Sequence, residues 1–458
     1  MVSILKIKSR PLVLTIYLFA ILFVIYLPIN IYLLIAIFIG TILVCTGIDK
    51  EFFIYAPFVI YPFSHLLRAG DGQNIIVALL PDLISFLYFG MYIFYSKLYL
   101  HVSRLILSLL FFSILVTLLH IANTANYVFI VIILREYFFP VIFLIVTINF
   151  YHLYPSLMKS IFNYCIVSYA FVCGIVFLNL FGILIVNPST PFLYPYVRYE
   201  YFLETGDVRQ LNSRVILGFP LPRLNTYLGG ALGSSGAILM AFGLTCLHRA
   251  STKRGLYYIL LAFLFICTSL ATLSTSILIP FVIFYFVFFI KNRISLLLLP
   301  LVFMLFYILL STSIYKFGSP YEYFVNSSLT ELIKGLNNMP FFNVIFGYGP
   351  YLASDFAKFQ PQEVLIDVGF FKVLFESGLP IFLLYILPII YLIYNCFYRY
   401  IFKNFSINKE ILFFSLVMLF MFHGNVAMTI PFYPLFSILI ANLYNMDLKK
   451  YFDQLDTQ

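Results

Sequence analysis

Apolar residues occupy this chain in long unbroken runs, and polar residues gather in the short stretches between them. The runs are about 20 residues each, the length a helix needs to cross a hydrocarbon core of roughly 30 Å. They fall near 11–28, 30–47, 52–67, 74–95, 104–121, 126–148, 157–186, 224–247, 255–273, 276–290, 294–312, 378–398, 410–423 and 429–446. They are too continuous to be the alternating strands of an outer-membrane barrel. The pattern predicts an all-α polytopic membrane protein with about 12–14 transmembrane helices, the last two runs reading either as two spans or as one interrupted helix. The first run follows the basic KIKSR but has no small-residue cleavage site after it, so it reads as a span rather than a signal peptide.

Composition agrees with that pattern. Hydrophobic residues make up 63% and charged residues 10% of 458 positions, against about 25% charged in a soluble domain. Residues 1–458 therefore read as one integral membrane domain. The six cysteines lie within or at the ends of apolar runs without a CxxC spacing, which argues against a disulfide framework or a metal site. The net charge of +9 is dispersed among short loops, unlike the gathered basic face of a nucleic-acid binder.

Charge instead alternates from loop to loop. Lys6, Lys8, Arg10, Lys50, Lys97, Arg104, Lys159, Arg249, Lys253, Arg254, Lys291, Arg293, Arg399, Lys403, Lys409, Lys449 and Lys450 all fall on one side. The intervening short loops LPIN, ANTAN, TLSTS and HGNVAM carry no basic residue. An excess of Lys and Arg marks the cytoplasmic side, so both termini are expected there. The same assignment sets two long loops, 187–223 and 313–377, on the outer face, which in a bacterium is periplasmic. Long loops in compact proteins are usually functional. Of the remaining basic residues, all but Arg135 lie outward: Arg68, Arg198, Arg209, Arg214, Arg223, Lys316, Lys334, Lys358 and Lys372. This runs against the charge gradient and points to an anion on that side.

In the first long loop, Arg198, Arg209, Arg214 and Arg223 are interleaved with tyrosines. A guanidinium stays charged and offers a planar fork of donors, which suits a pyrophosphate. The bland alternative pairs these arginines with Glu200, Glu204 and Asp207 over lipid headgroups. Arg223 precedes GGALGSSGA, small residues that let helices approach closely. In the second loop, Gly347 and Gly349 flank Tyr348 as a turn that could bring backbone amides to a ligand. From 366 onward, IDVGFFKVLFESGLPIF places Lys372 and Glu376 four residues apart on one helical face and turns Asp367 away from them. Asp367 reads equally as a helix N-cap and as a base. Arg135 and Glu136 fall near the middle of an apolar run, where an ionisable residue is a functional candidate or half of a structural ion pair. Asp82 is a similar single case beside a proline, and His423 interrupts a run at HGN.

These outer-loop stretches resemble the O-antigen polymerase and ligase superfamily. The resemblance rests on Arg223 with LNTYLGGALGSS, on Gly347 and Gly349, and on the Glu-x-Gly of Glu376, Ser377 and Gly378. The histidine of the ligase pattern falls on Asp367, so the chain reads more like a Wzy-type polymerase than a ligase. The resemblance implies a glycosyltransferase of the bacterial inner membrane, without cofactor, that joins undecaprenyl-pyrophosphate-linked oligosaccharide units into O-antigen or capsular-type polysaccharide. It implies catalytic roles for Asp367, Glu376 and Arg223, and substrate contacts from Arg135, Arg198, Arg209, Arg214, Tyr348 and His423. Its expected partners are the lipid-linked oligosaccharide, membrane lipid and a chain-length regulator, with no nucleic acid. A flippase for the same lipid is the rival from another class, although two long loops and the lack of a visible repeat argue against it.

Overall fold

A computed structural model describes residues 2–26, 31–70, 79–96, 139–180, 213–216, 219–222, 232–253, 255–272, 274–289, 339–347, 369–402, 408–420 and 432–455, with isolated positions between them. Nearly everything described is helix. In chain order the helices are α1 (Val2–Tyr26), α2 (Ile31–Ile48), α3 (Phe52–Ile60), α4 (Ser64–Gly70), α5 (Leu80–Ser96), α6 (Phe139–Leu153) and α7 (Pro155–Leu180). They continue as α8 (Leu232–Lys253), α9 (Leu256–Ala271), α10 (Leu278–Phe289), α11 (Phe341–Phe346), α12 (Gly369–Phe402), α13 (Lys409–Phe420) and α14 (Tyr433–Leu455). Short 3-10 turns at Tyr61–Phe63 and Thr275–Ile277 lead into α4 and α10.

Twelve of the apolar runs coincide with these helices, while 104–121 and 294–312 lie outside the described residues apart from isolated helical positions in the former. The main departure from an all-helical chain is a hairpin in the first long loop. Strands β1 (Ser213–Ile216) and β2 (Phe219–Pro222) pair antiparallel, with Arg214 opposite Leu221. Helix also begins earlier than the apolar pattern marks at α12, whose first nine residues belong to the stretch 313–377.

Helix α7 lies at the centre of the packing and touches α3, α6, α9 and α14. Pro155 opens it, a position where the missing N–H costs nothing because the first turn has no partner for it. Pro155–Leu178 is long and apolar enough to cross a membrane unaided; Arg10–Tyr26, Ile35–Ile48, Phe52–Leu67, Leu80–Ile93, Phe139–Leu153, Leu256–Ala271 and Leu278–Phe289 are apolar but shorter.

The polarity of the helix faces is unusual for a water-soluble bundle. On α9 the exposed face carries Leu256, Ile259, Leu260, Phe263 and Leu270, and the buried face carries Ala262, Phe265, Thr268 and Ser269. Small residues allow that buried face to fit closely against α8. A Cβ on Gly236 would come within 2.4 Å of Thr272 Oγ1, and one on Gly243 within 2.6 Å of Ile266 Cγ1. Ser269 donates to the Gly236 carbonyl at 2.6 Å across the same seam. An aromatic cluster fills the space among α3, α5, α6 and α14, where Phe143 packs against Phe58, Tyr61, Tyr88 and Tyr433.

Candidate functional site

The end of α11 meets the break in α12. Helix α11 ends at Gly347, whose φ of 74° closes the helix by an N–H bond to the Asn343 carbonyl at 2.8 Å. Helix α12 breaks at Gly378, where φ is 81°. A Cβ at Gly378 would fall 2.1 Å from the Ile345 carbonyl oxygen and 2.9 Å from the Phe346 nitrogen. Only a glycine combines that backbone conformation with that approach. The joint therefore seats the end of α11 on the kink of α12, and Glu376 occupies the last turn before the kink. Lys372 and Glu376 are both in the segment before it, four residues apart.

The sequence candidates divide as follows. Glu376 lies on α12 beside the joint, and Arg214 lies on β1 opposite Leu221. Gly347 ends α11, and Gly378 lies against Ile345 and Phe346 of that helix. Asp367, Arg223, Arg135, Glu136, Arg198, Arg209, Tyr348, Gly349 and His423 fall outside the described residues. Leu228, in the stretch between Arg223 and α8, is fully buried.

A second polar group surrounds Asp82, in the first turn of α5. Asp82 is 4% exposed and accepts a hydrogen bond from the Tyr61 hydroxyl at 3.3 Å. That hydroxyl also meets Ser85 Oγ at 2.9 Å and receives the Tyr433 hydroxyl. Ser85 can in turn bond the Pro81 carbonyl at 3.1 Å. The group joins the 3-10 turn after α3 to the starts of α5 and α14.

The other ends of the helices hold ion pairs. Arg10 on α1 bonds Glu51 and lies 3.5 Å from Asp49 Oδ2. Asp49 accepts from the Tyr55 hydroxyl at 3.2 Å and from the Glu51 N–H at 3.0 Å, and the Tyr55 ring packs against that of Tyr164 on α7, centroids 5.3 Å apart. One residue earlier on α7, Asn163 accepts from Arg249 Nη1 at 2.7 Å. Arg249 also grips Glu410 bidentately, with Nε 3.0 Å from both carboxylate oxygens and Nη2 2.5 Å from Oε2. Its guanidinium stands 5.7 Å from the Phe162 ring and 6.0 Å from the Tyr258 ring. Asn408 caps α13 by accepting from the Glu410 and Ile411 N–H groups at 3.1 and 3.4 Å.

Burial works against the Arg249 charge, but the ionic bonds to Glu410 outweigh it and hold the pKa above the ordinary arginine value. Burial pulls His248 below its ordinary value. The cations Lys409 and Arg249 add to that pull, and Glu410 opposes it. Sequence reading missed the Arg249–Glu410–Asn163 contact. Arg249 and Glu410 do fall at ends that the loop charges place on one side, but that signal does not say which of many such charges pair.

All these contacts agree with the alternation of loop charge. Arg10, Asp49, Glu51, Asn163, Tyr164, Arg249 and Glu410 come together at ends assigned to one side. Tyr61, ten residues beyond Glu51 and about 15 Å along a helix, gathers residues from ends assigned to the other. Comparison of the chain with protein families, curated proteins and solved structures finds no match.

Proposed function

We propose that this chain is a polytopic protein of the bacterial inner membrane, with cytoplasmic termini, that polymerises lipid-pyrophosphate-linked oligosaccharide units on the outer face. The membrane reading is supported by exposed helix faces made of Leu, Ile and Phe, as on α9, over buried faces that carry Thr and Ser. The polymerase reading rests on the resemblance of the loop motifs, and the observation that carries it is the close approach of Gly378 to Ile345 and Phe346 at the end of α11. The end of α11, marked by Gly347, and the break of α12 at Gly378 form one joint beside Glu376.

In the proposed reaction, a hydroxyl of the incoming lipid-linked unit attacks the anomeric carbon of the growing chain's reducing-end sugar. The new glycosidic C–O bond forms as the bond from that carbon to the pyrophosphate breaks. Lipid pyrophosphate leaves with the bonding pair, and Arg223 and Arg214 stabilise the charge that develops on it. Asp367 takes the acceptor proton, with Glu376 as the second choice for that role. Arg135, Arg198, Arg209, Tyr348 and His423 are assigned to substrate contacts.

The test is deletion of the gene and complementation with wild type, Arg223→Ala or Asp367→Asn, with surface glycan resolved on a gel and membrane levels of each variant checked. Single capping units in the deletion strain, reproduced by both variants at normal abundance, are the expected result. Long lipid-linked polymer with no surface glycan would identify a ligase instead. Single lipid-linked units retained on the cytoplasmic side would identify a flippase.

A further inference from the structure

We infer that α11 lies in the outer surface of the bilayer, with Phe341 and Phe342 seated in the acyl edge of the outer leaflet, and so holds the second long loop against the membrane. The inference rests on the membrane reading and deepens it, but it does not depend on the reaction. Helix α11, FFNVIF, has no charged side chain and no buried residue. Phe341 and Phe342 are 80% and 64% exposed, and the Phe342 ring lies against Phe346 with centroids 4.7 Å apart. Its one polar side chain, Asn343, reaches back to the Gly347 carbonyl at 3.5 Å. Adjacent exposed phenylalanines on a helix without charge fit water poorly and a lipid boundary well, where such rings anchor a helix lying in the surface.

Depth along α12 decides which solvent meets them. The break at Gly378 carries the end of α11, with the Ile345 carbonyl and the Phe346 nitrogen against it. Beyond the break the helix turns apolar, and Leu379 and Leu383 are exposed. Near its other end Tyr394, Tyr398 and Phe402 form an exposed aromatic row, with centroids 6.3 Å apart from Tyr394 to Tyr398 and 5.0 Å from Tyr398 to Phe402, and Arg399 lies in the same turn. Tyrosine and arginine at the end of an apolar span mark a membrane–water interface, and the loop charges assign this one to the cytoplasmic side. Tyr398 is 20 residues beyond Gly378, about 30 Å along a helix, which is the thickness of a hydrocarbon core. Gly378 and the end of α11 seated on it therefore fall at the opposite boundary. The occupant of the Phe341 and Phe342 surface is the outer-leaflet lipid, because α12 itself sets that depth and no second molecule is needed to reach it.

The chain contains no tryptophan, so one introduced indole reports alone. Phe341→Trp is compared with Phe263→Trp on the exposed face of α9 near mid-helix, and Phe342→Trp takes the place of Phe341→Trp should that variant not accumulate. Each full-length protein is reconstituted, without any lipid-linked unit, into phosphatidylcholine vesicles that are plain or brominated on the acyl chains, either close to the headgroup or close to the chain ends. An interfacial helix buries its apolar face roughly 5–10 Å into the boundary between headgroups and acyl chains. Emission from position 341 is therefore expected to be blue-shifted and quenched more by the shallow bromines, and emission from position 263 more by the deep ones. Quenching at 263 with full emission kept at 341 overturns the inference and leaves the membrane reading standing. Full emission kept at both positions overturns both. A blue shift at 341 that appears only when a lipid-linked oligosaccharide is added assigns the ring to a substrate chain, and it too overturns the inference.

Discussion

Gly378 shows at single-residue scale what the candidate site requires. Its φ of 81° lies where an L side chain is strained, and the Ile345 carbonyl oxygen occupies the space a Cβ would need. Gly378→Ala therefore has to move α11, α12 or both. Left-handed backbone alone costs about 1–2 kcal/mol outside glycine, and the clash adds to it, so a loss of at least about 2 kcal/mol is expected. Thermal unfolding of the detergent-purified protein measures this, with Gly90→Ala as the control. A Cβ at Gly90 meets nothing within 4 Å, and alanine favours helix there. A Gly378→Ala protein that melts with wild type would remove the joint from the account. The sequence made both glycines visible, because Gly-Tyr-Gly-Pro and Glu-Ser-Gly-Leu-Pro are turn and break signals. The seating of the end of α11 on Gly378 was not visible, since nothing local encodes which turn meets which kink.

At the scale of helices, much was legible because the apolar period needs no partner to be read. Twelve runs became helices, and Lys372 and Glu376 fell in one helical segment as their spacing required. Boundaries were less legible where the polarity did not change. Helix α12 already runs at Gly369, nine residues before the apolar run near 378–398. The hairpin of β1 and β2 escaped notice because FPLP, with two prolines in four residues, is a poor strand signal. Pairing between helices is a tertiary choice, and the bond from α8 to α13 illustrates it. Removing Arg249 leaves Glu410 partly buried without its bidentate partner. Arg249→Ala is expected to cost about 3 kcal/mol, and the exchange Arg249→Glu with Glu410→Arg to recover part of that loss. Melting of the two singles and the double exchange decides it; an exchange no better than the singles would mean that the geometry with Asn163, rather than the charge pair, holds α8 to α13.

For the whole molecule, an ion-paired group at one set of helix ends stands opposite the group around Asp82 at the other. The topology is an expectation from charge, since Lys and Arg mark their side without any packing information. The proposed chemistry rests on residue types that suit a pyrophosphate and a base, because a site assembled from separate loops has no contiguous pattern. The claim at the centre of the account is glycosyl transfer between two lipid-linked units. The most direct test incubates the purified protein, in detergent or a lipid nanodisc, with the lipid-pyrophosphate-linked repeat unit of its host and resolves the products by mass. The account predicts a ladder of lipid-linked oligomers spaced by one repeat, with one free lipid pyrophosphate released per bond formed, and no ladder from Asp367→Asn. Repeat units that remain single with folded wild-type protein would contradict it.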